Sequence, residues 1–227
     1  MQKDRWTEEY EKRKDIPSSR TMFPSRALKE FFGSSELKNL HTGKALDIGS
    51  GRGRNSIYMA QNGFAHVVGV EIVDYAINQA RQSVNELGLQ DKITFINESV
   101  GNQLPFEDQS FDLIVDMMVM HLLNPEERTN YFTEIQRLLK PGGFFVFYTI
   151  AAESKAAKAL FESNPGPEEN SYIIPQSKMI ERAFTDEELV AAFDRLKIIR
   201  LDHKIEFTPA FGDVYEREYI SGVMKKI

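Results

Sequence analysis

Cysteine is absent from the 227-residue chain. Disulfides, thiolate metal sites and cysteine nucleophiles are therefore excluded, and the chain suits a reducing compartment. Long apolar runs are missing too. The longest mainly apolar stretch, Leu113 to Leu123, contains Asp116 and His121 and is too short to span a bilayer. The opening residues Met1-Gln2-Lys3-Asp4-Arg5-Trp6 lack the apolar core of a secretory signal. Basic charge is in deficit, with 28 Lys and Arg against 34 Asp and Glu for a net charge of −6, which argues against a broad nucleic-acid footprint. Neither repeats nor low-complexity tracts occur. A cytoplasmic protein with no membrane partner is expected.

What is present is ordinary for a globular chain: 41% hydrophobic and 27% charged residues. A chain of this length buries about 70% of its unfolded surface, enough for one α/β domain with additions. Residues 1–20 are strongly charged, with Trp6, Tyr10 and Ile16 as isolated apolar points. Ser25 to Phe32 reads as a short helix ended by Gly33.

Strand and helix signals then alternate. Ala45–Ile48, His66–Val70, Ile93–Ile96, Phe111–Val115 and Phe144–Ile150 read as buried strands. Helices are expected over Asn55–Asn62, over Asp74–Leu87, and after Asn124, where Pro125 and Glu127 complete a capping signature. Thr185 with Glu188 repeats that signature, and Phe184 with Leu189 supplies a hydrophobic staple. Lys197–Phe207 and Tyr215–Met224 close the chain as a hairpin, so one of them runs antiparallel. Such alternation predicts a mostly parallel sheet covered on both faces.

The first strand enters Asp47-Ile48-Gly49-Ser50-Gly51-Arg52-Gly53, and a helix follows. That arrangement presents free backbone N–H groups and a helix dipole at a crevice, and glycines let a ligand approach the backbone. Glu71, about 20 residues on at the end of the second strand, is placed to hold ribose hydroxyls. A dinucleotide fingerprint would need glycine where Arg54 stands. Asp47 would also repel a pyrophosphate, whereas it suits an adenosyl ligand with an amino-acid tail.

Ala45 to Gly53 resembles the first motif of class I S-adenosylmethionine-dependent methyltransferases. Leu104-Pro105-Phe106-Glu107-Asp108-Gln109-Ser110-Phe111-Asp112-Leu113-Ile114-Val115 resembles the family's approach to its fourth strand, and Leu138-Leu139-Lys140-Pro141-Gly142-Gly143 its signature before the fifth. Gly53 to Ala60 is also similar to the tellurite-resistance type of small-molecule methyltransferase.

The resemblance implies a Rossmann-like three-layer sandwich with a seven-stranded sheet, order 3-2-1-4-5-7-6, strand seven antiparallel. Residues 44–227 would form this domain, residues 1–43 a helical cover and 151–183 a substrate-lid insertion. It implies S-adenosyl-L-methionine as cofactor, leaving S-adenosyl-L-homocysteine. Asp47, Gly49 and Gly51 would line its methionine part, with Ser50, Gly53 and Asn55 in the same loop and helix start. Glu71 would hold the ribose and Ile72 lie against the adenine, while Asp116 and Met117 border the methionine and sulfonium. The family often has Gly-Asp-Ala after strand three, but this chain has Asn97-Glu98-Ser99-Val100-Gly101. Glu98, Ser99, or the backbone of Ser99 and Val100 are the alternatives for the adenine amino group.

The sulfonium supplies the reactive methyl, so the protein must chiefly align an acceptor and exclude water. A hydroxyl or ammonium acceptor also needs a base. His121 is the candidate, with helix capping or packing as its alternative role. Arg26, Tyr148 and Tyr172 are the candidate acceptor contacts, although Tyr148 suits the core slightly better. Without cysteine, cytosine C5-methylation is excluded, and Asp116-Met117-Met118-Val119 stands where exocyclic-amine enzymes carry Asn-Pro-Pro-Tyr. No carboxylate cluster suggests a metal. The sequence thus points to methyl transfer to a small molecule, with a non-catalytic cofactor-binding module or a protein or RNA methyltransferase as alternatives.

Overall fold

The computed structural model describes residues 3–13, 16–37, 43–153, 155–175, 177–210 and 213–227. Parts of the expected cover (residues 1–43), of the insertion (151–183) and of the closing loop (208–214) lie outside the described residues.

Three short helices come first: α1 (Lys3–Glu8), which runs into a π-helical turn at Glu9–Arg13, α2 (Pro17–Arg20) and α3 (Arg26–Phe32). Buried Glu9 accepts from the Ile16 N–H at 2.8 Å and the Ser19 hydroxyl at 2.9 Å, which folds the start of the chain back on itself. Gly33 follows α3 at φ −80°, in the right-handed region rather than the left-handed cap expected of it.

The sheet is built from β1 (Lys44–Ile48), β2 (His66–Glu71), β3 (Ile93–Asn97), β4 (Phe111–Met117) and β5 (Leu139–Ile150), with α4 (Arg54–Gln61), α5 (Asp74–Glu86) and α6 (Pro125–Leu138) as crossovers. Next come α7 (Lys155–Ser163), β6 (Ser171–Ile173) and β7 (Ile180–Arg182), which the sequence patterns did not reveal, then α8 (Asp186–Ala192), β8 (Leu196–Ala210) and β9 (Asp213–Lys226). The seven-stranded sheet has the order β3-β2-β1-β4-β5-β9-β8, and β6 and β7 form a separate antiparallel hairpin. Counting only strands of the main sheet, this is the expected order. Within this sheet β9 runs opposite to the other six strands.

Two apolar clusters make the layers. On one face Leu28, Phe31, Phe64 and Phe95 join α3, α4 and α5 to the sheet. On the other, Tyr131, Phe145, Phe147, Phe184 and Phe193 pack α6 and α8. Burying a Phe or Leu side chain contributes about 1.5–3 kcal/mol, so these clusters dominate folding. Both capping boxes form, Asn124 with Glu127 and Thr185 with Glu188. With parallel strands β1, β2 and β4 side by side, their C-terminal ends meet at one edge, where such sheets bind ligands.

Candidate active site

The turn after β1 is held by backbone bonds, Ser50 N–H to the Val70 carbonyl at 3.0 Å and Gly53 N–H to the Ser50 carbonyl at 2.9 Å. Gly49, Gly51 and Gly53 have φ of +59°, +53° and +79°, a region costly for residues bearing a Cβ. Gly51 has a second reason. A Cβ there would come within 2.5 Å of the Tyr10 hydroxyl, because buried Tyr10 lies against the turn.

Glu71 ties the turn to the end of β2. Its carboxylate accepts from Gly51 N–H at 2.9 Å, Ile72 N–H at 2.8 Å and Val73 N–H at 2.9 Å. Burial pushes its carboxyl up, opposed by these three donors. Asp47 is buried beneath the turn, where it accepts the Ser56 hydroxyl of α4. Burial raises its carboxyl to about 7, against the lowering pull of Ser56 and Arg54.

A cavity of about 330 Å³ opens over this turn and runs to the ends of β4 and β5. Among the anticipated residues, Gly49, Ser50, Gly51, Asn55 and Glu71 line it, as do Ile72, Glu98 and Val100 on the β2–β3 side. Met117, His121 and Tyr148 line its other end. Several do not reach it. Asp47 sits below the turn, Gly53 closes it without lining the cavity, and Ser99 is turned aside to accept the Gly101 N–H at 3.2 Å. Arg26 borders an adjoining cavity of about 200 Å³ that shares Met117, Met118 and Tyr148 with the first. Glu98 borders the first cavity while accepting from Ser99 N–H and Asn102.

Asp116 is an organiser of the chain beyond β4. Fully buried, it accepts from Val119 N–H at 2.8 Å, Met120 N–H at 3.0 Å and the Tyr131 hydroxyl at 2.6 Å. Burial lifts its carboxyl to about 6, opposed by these donors. Held this way, Met118 takes the left-handed φ of +73°, rare for a residue with a long side chain, and donates its N–H to the Tyr148 carbonyl at 3.0 Å. The 3-10 turn Met120–Leu122 that carries His121 follows directly.

Residues not anticipated complete the far end. Met118, Glu181 of β7, Glu206 of β8, and Arg217 and Tyr219 of β9 all line the cavity. Glu181 is buried and accepts from Arg217 at 3.2 Å and from the Tyr172 hydroxyl, while His121 Nε2 lies 3.8 Å from its other oxygen. Burial alone would raise the Glu181 carboxyl, but Arg217, His121 and Tyr172 outweigh it and hold it at about 2. Tyr172, expected to face the acceptor, stands instead behind Glu181, because its hydroxyl finds that carboxylate. Tyr148 is half-buried, stacks on Tyr219 with ring centroids 4.8 Å apart, and both packs against the cluster of Ile150, Ala152 and Ala183 and lines the cavity. No periodicity announces these partners, since they come from an irregular insertion and the last hairpin.

Trp6, Tyr10, Ile16 and Thr21 also line the cavity. Trp6 and Ile16 pack against Tyr172, Ile174 and Met179 of the insertion, and Trp6 also touches the Tyr10–Val73–Ala76 group. The N-terminal segment and the insertion therefore pack together beside the cavity. Among the described residues no group of three or more His, Asp and Glu is placed to hold a metal, and no helix is long and apolar enough to cross a membrane.

Residues 45–143 match the methyltransferase domain family. A SAM-dependent methyltransferase structure from Methanosarcina mazei shares 25% identity and superposes with a TM-score of 0.70, covering 82% of this chain and 93% of its own. An uncharacterized methyltransferase of Synechocystis is 31% identical over 119 residues, 51% of this chain and 52% of that protein. A ubiquinone biosynthesis O-methyltransferase of Maricaulis maris is 35% identical over 129 residues, 56% of this chain and 48% of that protein. The chain thus spans about half the length of the curated relatives it matches. Its sheet has the strand order of class I S-adenosylmethionine-dependent methyltransferases, and residues 45–143 resemble their methyltransferase domain.

Proposed function

We propose that this chain binds S-adenosylmethionine over the glycine turn and transfers its methyl group to a small-molecule acceptor by in-line displacement. One observation carries the reading: a single cavity joins the turn and Glu71 to an aromatic and polar chamber at His121 and Tyr148. The turn fits the cofactor by its own chemistry. Gly49 and Gly51 bring left-handed backbone to the cavity wall, and the buried hydroxyl of Ser50, which also lines the cavity, has no hydrogen-bond partner. Glu71 and Ile72 would hold the ribose and adenine end, with Glu98 and Val100 on the adenine rim. Gly49, Ser50 and Met117 would hold the methionine end. Asp47 and Asp116 act from beneath, fixing the turn and the Met118 loop.

The cofactor brings a sulfonium-activated methyl group when bound. The chain's own contribution is alignment and exclusion of water, served by Trp6, Tyr10 and Ile16 above and Met117 and Met118 beside the chamber. In the Burkholderia thailandensis 1,6-didemethyltoxoflavin-N1-methyltransferase structure, a fold match at TM-score 0.69, 1,6-didemethyltoxoflavin and S-adenosylhomocysteine are bound together. That likeness at 17% identity concerns the fold and leaves the present acceptor to be argued from this chamber.

Calorimetry tests the reading. S-adenosylhomocysteine should bind the wild type at micromolar concentration, and Glu71→Ala should weaken binding at least ~10-fold, since each lost charge-assisted bond is worth about 1.5–3 kcal/mol. A wild type that binds no S-adenosylhomocysteine, or binds NAD instead, overturns the proposal.

A further inference from the structure

Resting on the proposed methyl transfer, we infer that the acceptor is a planar aromatic or heteroaromatic ring bearing an O–H or N–H, that His121 Nδ1 removes its proton, and that Glu181 is the positioning residue holding the imidazole in the required tautomer. The far chamber has two kinds of wall. One is flat and soft, made of the stacked Tyr148–Tyr219 pair with Met117 and Met118. Such surfaces favour a ring laid against them in offset or edge contact. The other wall is polar: buried His121 backed by Glu181, which Arg217 and Tyr172 pin in place.

The chemistry follows from which imidazole nitrogen is engaged. Nε2 faces the Glu181 carboxylate at 3.8 Å, a contact that attracts when Nε2 carries hydrogen and repels when it presents a lone pair. Glu181 is anionic across the physiological range, so the proton belongs on Nε2 and the lone pair on Nδ1. Nδ1 is buried, borders the cavity through its residue, and has no protein partner. Buried polar atoms are nearly always partnered, so an orphan on a cavity-lining residue is left for a ligand donor.

In the step itself, the acceptor's O–H or N–H bond breaks and its proton goes to Nδ1. The freed electron pair forms the new bond to the methyl carbon, and the carbon–sulfur pair passes to sulfur, leaving the neutral thioether. The positive charge lost from the sulfonium is gained by the imidazolium, beside the Glu181 carboxylate. Soft acceptors such as thiolates or metalloid oxyanions bear no proton to remove and have no use for this pair.

The chain has four histidines, so nitrogen-15 NMR of labelled protein with bound S-adenosylhomocysteine can assign His121 by comparison with His121→Asn. At pH 8 the His121 signals should be those of the Nε2–H tautomer, and Glu181→Gln should abolish that preference. An Nδ1–H tautomer in the wild type overturns the inference. Turnover of labelled S-adenosylmethionine is then read with 7-hydroxycoumarin and benzimidazole as protic rings and 4-nitrothiophenol and tellurite as soft probes. A protic ring should be methylated, with kcat down ~100-fold or more in His121→Asn. In Glu181→Gln, kcat should fall ~10-fold or more with KM held, because only the orientation of the base is lost. Methylation confined to the soft probes, or indifferent to His121→Asn, sinks the inference. Retained S-adenosylhomocysteine binding in both variants shows that they fold and separates this failure from failure of the cofactor reading.

Discussion

Gly51 and Tyr10 form a pair in which each explains the other. The turn needs a left-handed residue, and the space that a methyl group would take is filled by the Tyr10 hydroxyl. Gly51→Ala should therefore lower stability by about 1–2 kcal/mol from backbone strain alone, with an added cost from the contact. Tyr10→Phe in the same background should restore only the contact part. A double-mutant cycle on thermal midpoints measures the coupling.

The buried carboxyls make a second residue-level expectation. Asp47 at about 7 and Asp116 at about 6 keep protons in the folded chain that an unfolded Asp releases near pH 4. Their contribution is fully present below about pH 4 and is lost as the pH rises toward 7. Glu181, held at about 2, acts in the opposite sense, its contribution lost as pH falls below about 4. Thermal midpoints should thus decline less between pH 5 and 7.5 in Asp47→Asn than in the wild type. An unchanged decline would show that Asp47 does not hold its proton.

Helix α8 depends on its ends. The Thr185–Glu188 capping box closes its start, and His203 of β8 bridges Asp186 on α8 to Glu218 on β9 at 3.0 and 2.8 Å. Thr185→Ala should cost about 1 kcal/mol, read by urea unfolding. Burial alone would lower the His203 imidazole, but Glu218 and Asp186 outweigh it and raise it. The bridge therefore contributes below about pH 6.5 and fades as pH rises through the folded value. His203→Gln should flatten that dependence in urea titrations across pH 6 to 8.

At this scale the limits of the sequence also become clear. Buried apolar strands and the helices between them from β1 to β5 are legible because local rules and the buried sheet agree there. The β6–β7 hairpin is not, since three-residue strands around Asn170 and Lys178, both at positive φ, carry no periodic signal. Glu181 is hidden with it. Asp47 and Asp116 stand where the motif places ligand contacts. Only the structure reveals that Ser56, Tyr131 and backbone N–H groups already occupy them.

On the whole-molecule scale, one protein surface is assembled from distant stretches of chain. The N-terminal helices, the strand ends and the insertion converge on a single cavity, and Trp6 sits where the N-terminal segment touches the insertion. Trp6 is also the chain's only tryptophan. Indole emission therefore reports from one place, the seam above the cavity, with no background from elsewhere. Its ring lies 5.9 Å from that of Tyr10, which itself rests on the glycine turn. The molecule carries a built-in optical gauge: occupancy beneath the seam changes what the indole sees, so ligand titrations can be followed by light without any label.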